Sequence, residues 1–333
     1  MRLLFLIILL ALTLNAKIFV DMYDREVEIT DNNKIVCLGP GTLRLITYMQ
    51  LEKKLIGIEK KELRFSPNSA YSLVLDKKFI KSLPIVGQGG PGKMPNLETL
   101  ISLKPDVIFT SILSPKQVAL IQEKTKTPVI ALSYGSNYGG KNNKEDKIEA
   151  VKKSMLLIAQ IMDKQNRADE LITFMNKQKE DLKKITIDDK AIYVGGVAYK
   201  GLHGITSTES DYPAFKLLNI KNPILQNHIG HAFVNKETLL SFNPEVIFLD
   251  SVSKKIILEE IEKDKAIYKH IKAFKNNNIY WLYPSNFYNT NIENIYINSW
   301  LIASHFGKDI DIKKVKERVY KKFLGKDINT NVQ

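Results

Sequence analysis

Five histidines stand in this chain, at 203, 228, 231, 270 and 305. His228 and His231 lie three apart within Asn227-His228-Ile229-Gly230-His231-Ala232-Phe233, a loop-like spacing that lets both rings face one point. Imidazole suits nickel, copper, zinc or iron, and it also donates hydrogen bonds to carboxylates. His228 and His231 are therefore candidate metal ligands, directly or through a chelate. His203, in a second loop, is a candidate ligand contact. A structural or surface role is the alternative for each. His270 and His305 fall in predicted helices and are assigned no function. The single Cys37, in Lys34-Ile35-Val36-Cys37-Leu38, reads as a buried strand residue. With no second cysteine there is no disulfide and no cysteine-based metal site.

Cationic and aromatic groups come next. Arg44 and Arg64 follow strand-like segments of the first half, as do Tyr71, Tyr134 and Tyr138. Tyr199, Trp281, Phe287, Tyr288 and Trp300 are their counterparts in the second half. Pro40 and Gly41 sit in Gly39-Pro40-Gly41-Thr42, and Gln88 in the glycine-rich run 84–92. Turns after strands lie at the carboxyl ends, where open α/β sheets bind ligands, so these positions are candidate contacts. Core packing is the competing reading for each aromatic, and a surface or inter-element role for each arginine.

The catalytic motifs are missing. Gly39-Pro40-Gly41 lacks the third glycine of the dinucleotide fingerprint, and no Gly-Lys-Ser/Thr opens the helix after 84–92. There is no Gly-x-Ser-x-Gly elbow, no His-Glu-x-x-His and no Cys-x-x-Cys. These absences argue for binding, with an exported enzyme on the same scaffold as the alternative.

The formal charge of +13 comes from 49 basic and 36 acidic residues. Only six of the basic residues are arginines, and the lysines are scattered. A nucleic-acid binder clusters Arg and Lys on one element with interleaved aromatics, so the scatter reads as a solvated surface. Residues 1–16 read as an export leader: Arg2, an apolar run Leu3 to Leu14, and Leu14-Asn15-Ala16 before the cut. That run is too short to span a bilayer. No cysteine follows it, so the expectation is a periplasmic, unanchored, monomeric protein.

What must position these groups is written twice. Asn96-Leu97-Glu98-Thr99-Leu100-Ile101-Ser102-Leu103-Lys104-Pro105-Asp106-Val107-Ile108-Phe109 returns as Asn235-Lys236-Glu237-Thr238-Leu239-Leu240-Ser241-Phe242-Asn243-Pro244-Glu245-Val246-Ile247-Phe248, identical at nine of fourteen positions. Each copy reads as a short amphipathic helix, a proline stop and a buried strand. The copies are too far apart for a solenoid and predict two similar lobes. The first half opens with a hairpin (Ile18–Val20, Val27–Ile29), then strand Ile35–Leu38, a glycine turn, a helix and strand Leu55–Ile58, the start of a parallel α/β layer. Residues 84–92 read as a flexible loop. Helix Pro115–Lys124 and strand Val129–Leu132 follow. A helical tract runs from Asp146 to about Ile185, with a break expected near Asp163–Asn166 and starts at Asp146 and Asn166. Its second piece is long and stiff enough to join two lobes. Strand Ala191–Val194, a loop, the polar segment Thr206–Pro213, helix Lys254–Glu262, strand Ile279–Leu282, an aromatic loop Tyr283–Asn291 and closing helices make the second half.

In these features the chain resembles the substrate-binding proteins of ABC importers for iron-siderophore, haem and vitamin B12. The residues carrying the resemblance are Arg25-Glu26-Val27, Ile35-Val36-Cys37-Leu38-Gly39-Pro40, Pro95 through Ile108, and Val234-Asn235-Lys236-Glu237. It implies two Rossmann-like α/β lobes with parallel-rich sheets joined by a single long helix. The divisions are a leader (1–16), an N-terminal lobe (17–145), a helical tract (146–186) and a C-terminal lobe (187–333). It also implies that Glu98 and Glu237 dock on arginines of a permease served by an ATPase. The cargo it implies is a metal chelate of the iron(III)-siderophore type, with nickel or cobalt chelates such as metal–histidine, cobalamin and haem as alternatives, and no intrinsic cofactor. Arginines and aromatic walls suit such anionic, partly planar ligands.

Overall fold

The computed structural model describes residues 16–135, 145–188, 190–222, 224, 228, 230–326 and 328. Met1–Asn15 of the leader, Tyr138 and Asn227 lie outside the described residues.

The chain starts with the expected hairpin, β1 (Lys17–Val20) and β2 (Glu26–Ile29), antiparallel with Lys17 opposite Ile29. Then come β3 (Ile35–Leu38), α1 (Thr42–Tyr48), β4 (Leu55–Glu59), α2 (Ala70–Val74), α3 (Lys77–Ser82) and β5 (Ile85–Gly87). α4 (Leu97–Leu103), β6 (Val107–Thr110), α5 (Pro115–Thr125) and β7 (Val129–Ala131) complete one parallel sheet of order β5-β4-β3-β6-β7. β5 corrects the reading of 84–92 as loop throughout. Ile85-Val86-Gly87 is short and glycine-ended, but it pairs with the edge of β4, and Val86 is buried.

Two helices follow, α6 (Lys147–Met162) and α7 (Gln165–Lys183), broken where Asp163 turns left-handed at φ 53. Asp146 caps α6 by accepting the amides of Ile148 and Glu149. The expected second start at Asn166 is corrected. Lys164 precedes α7 without a side-chain cap, and Asn166 is already helical. The 19 residues of α7 span about 28 Å. Its buried residues Ala168, Leu171, Met175, Gln178 and Leu182 recur at three and four, one stripe of the helix.

The second half has β8 (Ile192–Gly195), β9 (Ser207–Glu209), α8 (Pro213–Leu217), β10 (His231–Phe233), α9 (Lys236–Phe242) and β11 (Val246–Asp250). α10 (Lys254–Lys263), α11 (Lys265–Tyr268), α12 (Lys272–Lys275), β12 (Ile279–Leu282), α13 (Ile292–Ser304) and α14 (Ile312–Leu324) follow. Strands β12-β11-β8 form a parallel sheet, and β9 pairs antiparallel with β10. Two expectations change. The polar segment Thr206–Pro213 holds a strand whose Ser207, Thr208 and Glu209 are buried, and the histidine loop ends in the strand that pairs with it. His270 lies in a turn and His305 caps the end of α13, so neither is within a helix.

The two repeat copies fold alike in detail. The Asn96 carboxamide caps α4 through the Thr99 amide at 3.0 Å, and Asn235 caps α9 through Thr238 at 2.6 Å. Each helix ends on a left-handed residue before its proline, Lys104 at φ 49 and Asn243 at φ 48. The Asp106 amide then reaches Lys34 O at 2.8 Å, and the Glu245 amide reaches Ala191 O at 2.7 Å. In both sheets alternate residues face opposite cores. Val36 and Ile108 pack outward with Leu100 of α4, as Tyr193 and Ile247 do with Leu239 of α9. The inward residues Ile35, Phe109, Val194 and Phe248 join Leu171 and Met175 of α7 in one continuous core. Two α/β lobes are thus joined by a helix that is itself part of the shared core.

Polar struts reinforce the junction. Arg44, fully buried, reaches across to the second half, donating to Thr290 O at 2.7 Å, Phe287 O at 2.9 Å and Asn291 Oδ1 at 2.6 Å. Arg167 on α7 donates to Tyr48 O at 2.8 Å and Lys322 O at 2.7 Å, and α14 packs on α1 and α2. Replacing Arg44 leaves three buried acceptors unanswered, so Arg44→Ala is expected to lower the urea unfolding free energy by about 3 kcal/mol. With the inner core continuous across both lobes, solution scattering with and without ligand is expected to give the same radius of gyration within error. A large compaction would contradict the shared core.

Candidate functional site

The carboxyl ends of the first sheet build one wall. Gly39 (φ +81) and Gly41 (φ +86) shape the turn after β3; a Cβ on Gly39 would lie 2.1 Å from Ser111 O, and one on Gly41 2.8 Å from the Tyr134 ring. No other residue fits there. The backbone carbonyls of this turn are tied. Pro40 O accepts from Ser111 at 2.5 Å and from Asn289 of the other lobe at 2.9 Å, and Gly41 O accepts from buried Tyr134 at 2.7 Å. Arg44, one turn further on, is a lobe-to-lobe strut lying over the Tyr71 ring, with its Nη donors engaged by protein. Arg64 and Gln88 are exposed on the same edge.

Two carboxylates that the sequence reading passed over lie beneath this wall. Glu59 ends β4 and is 2% exposed; it accepts the Gly39 amide at 3.0 Å and the Tyr288 hydroxyl at 3.0 Å. Burial pushes its pKa up to about 7 against those two hydrogen bonds and the nearby Lys61. Glu62, also buried, accepts from Tyr71, and burial pushes it to about 7 as well. The run Glu59-Lys60-Lys61-Glu62 looks like a solvated face in sequence. The signal that was available is its place immediately after a buried strand.

The second wall is built on β9 and β10. Tyr199 lies flat on His231, ring centroids 4.4 Å apart and planes 11° apart. Phe233 meets His231 and His203 edge-on at 4.7 Å and 4.8 Å. His203 Nε2 lies 2.6 Å from Tyr199 O and His228 Nε2 2.8 Å from His231 O. A carbonyl only accepts, so both nitrogens carry a hydrogen. Ser207 Oγ gives its own hydrogen to Val197 O at 2.6 Å, so it accepts from His231 Nε2, 2.7 Å away. All three imidazoles thereby carry a hydrogen on Nε2, and in His231 Nδ1 is left as the lone-pair atom. Burial pushes His231 down to about 4, helped by His203, His228 and Lys147, so it stays neutral at neutral pH. The structure thus gathers all three histidines of the sequence reading into one cluster. Among the described residues, no three His, Cys, Asp or Glu side chains are placed to hold a metal ion.

The aromatic loop after β12 connects the walls. Asn286 donates to Ala198 O at 3.0 Å beside Tyr199, while Phe287, Tyr288 and Asn289 hold Arg44, Glu59 and Pro40 of the first lobe. Tyr288 sits at φ 52, a conformation costing a bulky side chain of order 1 kcal/mol. Asp250 Oδ2 anchors the loop through the Ser285 amide at 2.9 Å. Trp281 is not on this loop. It packs in β12 against the outer core with the Lys254 ammonium 5.2 Å over its ring, and Trp300 ties α13 to Gln178 of α7. Glu98 and Glu237 are exposed on the first turns of α4 and α9, in matching positions.

This geometry has known counterparts. The family model for periplasmic binding proteins matches residues 35–285. The molybdate-binding protein MolA of Haemophilus influenzae is 24% identical over 334 residues, 92% of this chain and 90% of that protein. An Fe(3+)-citrate-binding protein of Bacillus subtilis is 28% identical over 208 residues, 61% of this chain and 62% of that protein. The solved molybdate-bound MolA superposes with a TM-score of 0.73 at 19% identity, covering 94% of this chain and 99% of that one, which shows the same fold. Among the described residues no helix is long and apolar enough to cross a membrane. With the family model matching residues 35–285, from the first strand of one sheet past the last strand of the other, the chain belongs to the periplasmic binding protein family, as the solute-binding component of an ABC importer.

Proposed function

We propose that this protein captures an anionic metal complex, a ferric chelate of the siderophore kind with planar aromatic groups, between the Gly39–Gly41 edge and the histidine–aromatic wall. After capture it hands the complex to the permease. The observation that carries this reading is the Tyr199–His231 stack. Tyr199 is 39% exposed and neighbouring Phe233 59%, so a flat apolar surface stands open beside the neutral imidazole of His231, whose Nδ1 is unclaimed by the protein hydrogen bonds described above. A planar, conjugated ligand uses such a surface; a compact tetrahedral oxyanion would not. A molybdate-like oxyanion is the second reading, favoured by similarity to MolA along nearly the whole chain. Binding needs no catalytic step in either case. Export to the periplasm with removal of residues 1–16, and a monomeric state, belong to the same reading.

Glu98 and Glu237 are the proposed contacts to the permease, since two exposed carboxylates recur on equivalent helices. Charge reversal at both is expected to stop uptake in cells while the purified variant still binds ligand. Fluorescence titration and native mass spectrometry against ferric citrate, a ferric catecholate, haem, cobalamin, nickel–histidine and molybdate decide the cargo. A ferric chelate is expected to bind tightest. Tyr199→Ala should weaken it roughly threefold to tenfold, as expected for losing one aromatic contact, and His231→Ala at least as much. If molybdate alone binds and Tyr199→Ala leaves its affinity unaltered, the chelate reading is wrong.

A further inference from the structure

We propose that Glu59 is a specificity residue that reads the charge of the ligand through a proton: the cleft takes up an anionic complex with Glu59 protonated, and loses affinity for it as that carboxyl ionises. The inference rests on the reading above that the cargo is an anion.

The geometry comes first. Glu59 sits at the carboxyl end of β4, under Gly89 and on the seam between the lobes, with its Oε2 shared by an amide of one lobe and a phenol of the other. It has no ion pair among the described residues. The groups facing it are few. The turn after β3 contributes the Gly39 amide, and the second lobe contributes Tyr288. The next turn places the Lys61 ammonium 5.4 Å over the Tyr288 ring and adds the like charge of Glu62. From β3 comes the buried Cys37 thiol, pushed up by burial and then by both carboxylates. Arg44 stands beyond Tyr71 and acts on Glu62. A carboxyl desolvated this far holds a proton up to about pH 7.

An anion entering the cleft adds a further like charge, which strengthens the hold on that proton. By reciprocity the proton strengthens the hold on the anion. Protonation also changes the local hydrogen bonds. A neutral Glu59 no longer needs the Tyr288 hydroxyl as a donor to a charged oxygen, so that hydrogen is free to turn toward the ligand. A cationic or neutral cargo would gain nothing from this arrangement.

The test is a pH series of dissociation constants for a ferric catecholate and molybdate as probes, with wild type and Glu59→Gln, each variant first checked for a cooperative melt. His231 is already neutral over this range and does not contribute. Wild type is expected to weaken by more than about tenfold between about pH 6.5 and 8.5, approaching about tenfold per unit, and Glu59→Gln to lose that slope. Calorimetry in two buffers of different ionisation enthalpy should show about one proton taken up per ligand near pH 8 in wild type only. A wild-type profile that is flat, or a Glu59→Gln profile as steep as wild type, overturns the proposal. The ligand-free protein supplies a separate reading. In difference infrared spectra, the carboxylic-acid carbonyl component that Glu59→Gln removes, distinct from those of Glu62 and Asp250, should disappear around pH 7; a component gone by about pH 5 overturns the proton link. If the infrared band behaves as expected and neither probe binds at any pH, the anionic-cargo reading has failed and the specificity role of Glu59 falls with it.

Discussion

A buried guanidinium needs its donors answered by the fold, and Arg44 has both Nη groups bonded to the opposite lobe while its Nε is left buried without a partner. Three of its contacts, to Phe287, Thr290 and Asn291, lie on one loop of the second half, while its helix belongs to the first. That requirement fixes the loop after β12 against the turn after β3. Everything proposed for ligand capture hangs from the same loop: Tyr288 on Glu59, Asn289 on Pro40, and Asn286 on the strand end that carries Tyr199. The walls of the cleft are therefore held at a set separation before any ligand arrives. A preformed site of this kind avoids the ordering cost that a mobile one meets on binding.

The repeat explains both the symmetry of the molecule and the asymmetry of its site. Helix, left-handed stop, proline and buried strand recur because the same residues meet the same demands in both lobes. The sheets then diverge. The first continues past β3 to β4 and β5; the second ends at β8 and is followed by the β9–β10 pair. One wall thus receives the strand end that buries Glu59, and the other the antiparallel β9–β10 pair, beside which three histidines gather. The duplicated scaffold carries two unlike binding edges.

The chemistry of these edges is closer to neutral than the sequence suggests. The chain has a formal charge of +13, yet the groups turned to the cleft include the neutral imidazole of His231, phenols, and a carboxyl that ionises only near neutrality. Lysines cover the exterior, where they remain solvated. Recognition in such a site depends on hydrogen bonds, stacking and the charge brought by the ligand, since few opposed charges wait for it.

The sequence alone determined the two-lobed α/β plan, the hairpin, the interlobe helix with its break near Asp163, and the matching placement of Glu98 and Glu237 on equivalent helices. These rest on local rules: hydrophobic period, capping, proline stops and a repeat that needs no partner to be seen. It also picked out His203, His228 and His231, because scarce residue types in loops stand out. Tertiary structure decided the rest. Arg44, read as a cleft arginine, is a buried strut, because its acceptors come from residues more than 240 positions away. The polar stretch at Ser207–Glu209 is a buried strand because it finds a partner at His231–Phe233. Glu59 and Glu62 look solvated within a charged run and are buried because Tyr288 of the second lobe meets Glu59 and Tyr71 of the first meets Glu62. Burial and hydrogen-bond partners are properties of the assembled chain, and no local pattern states them.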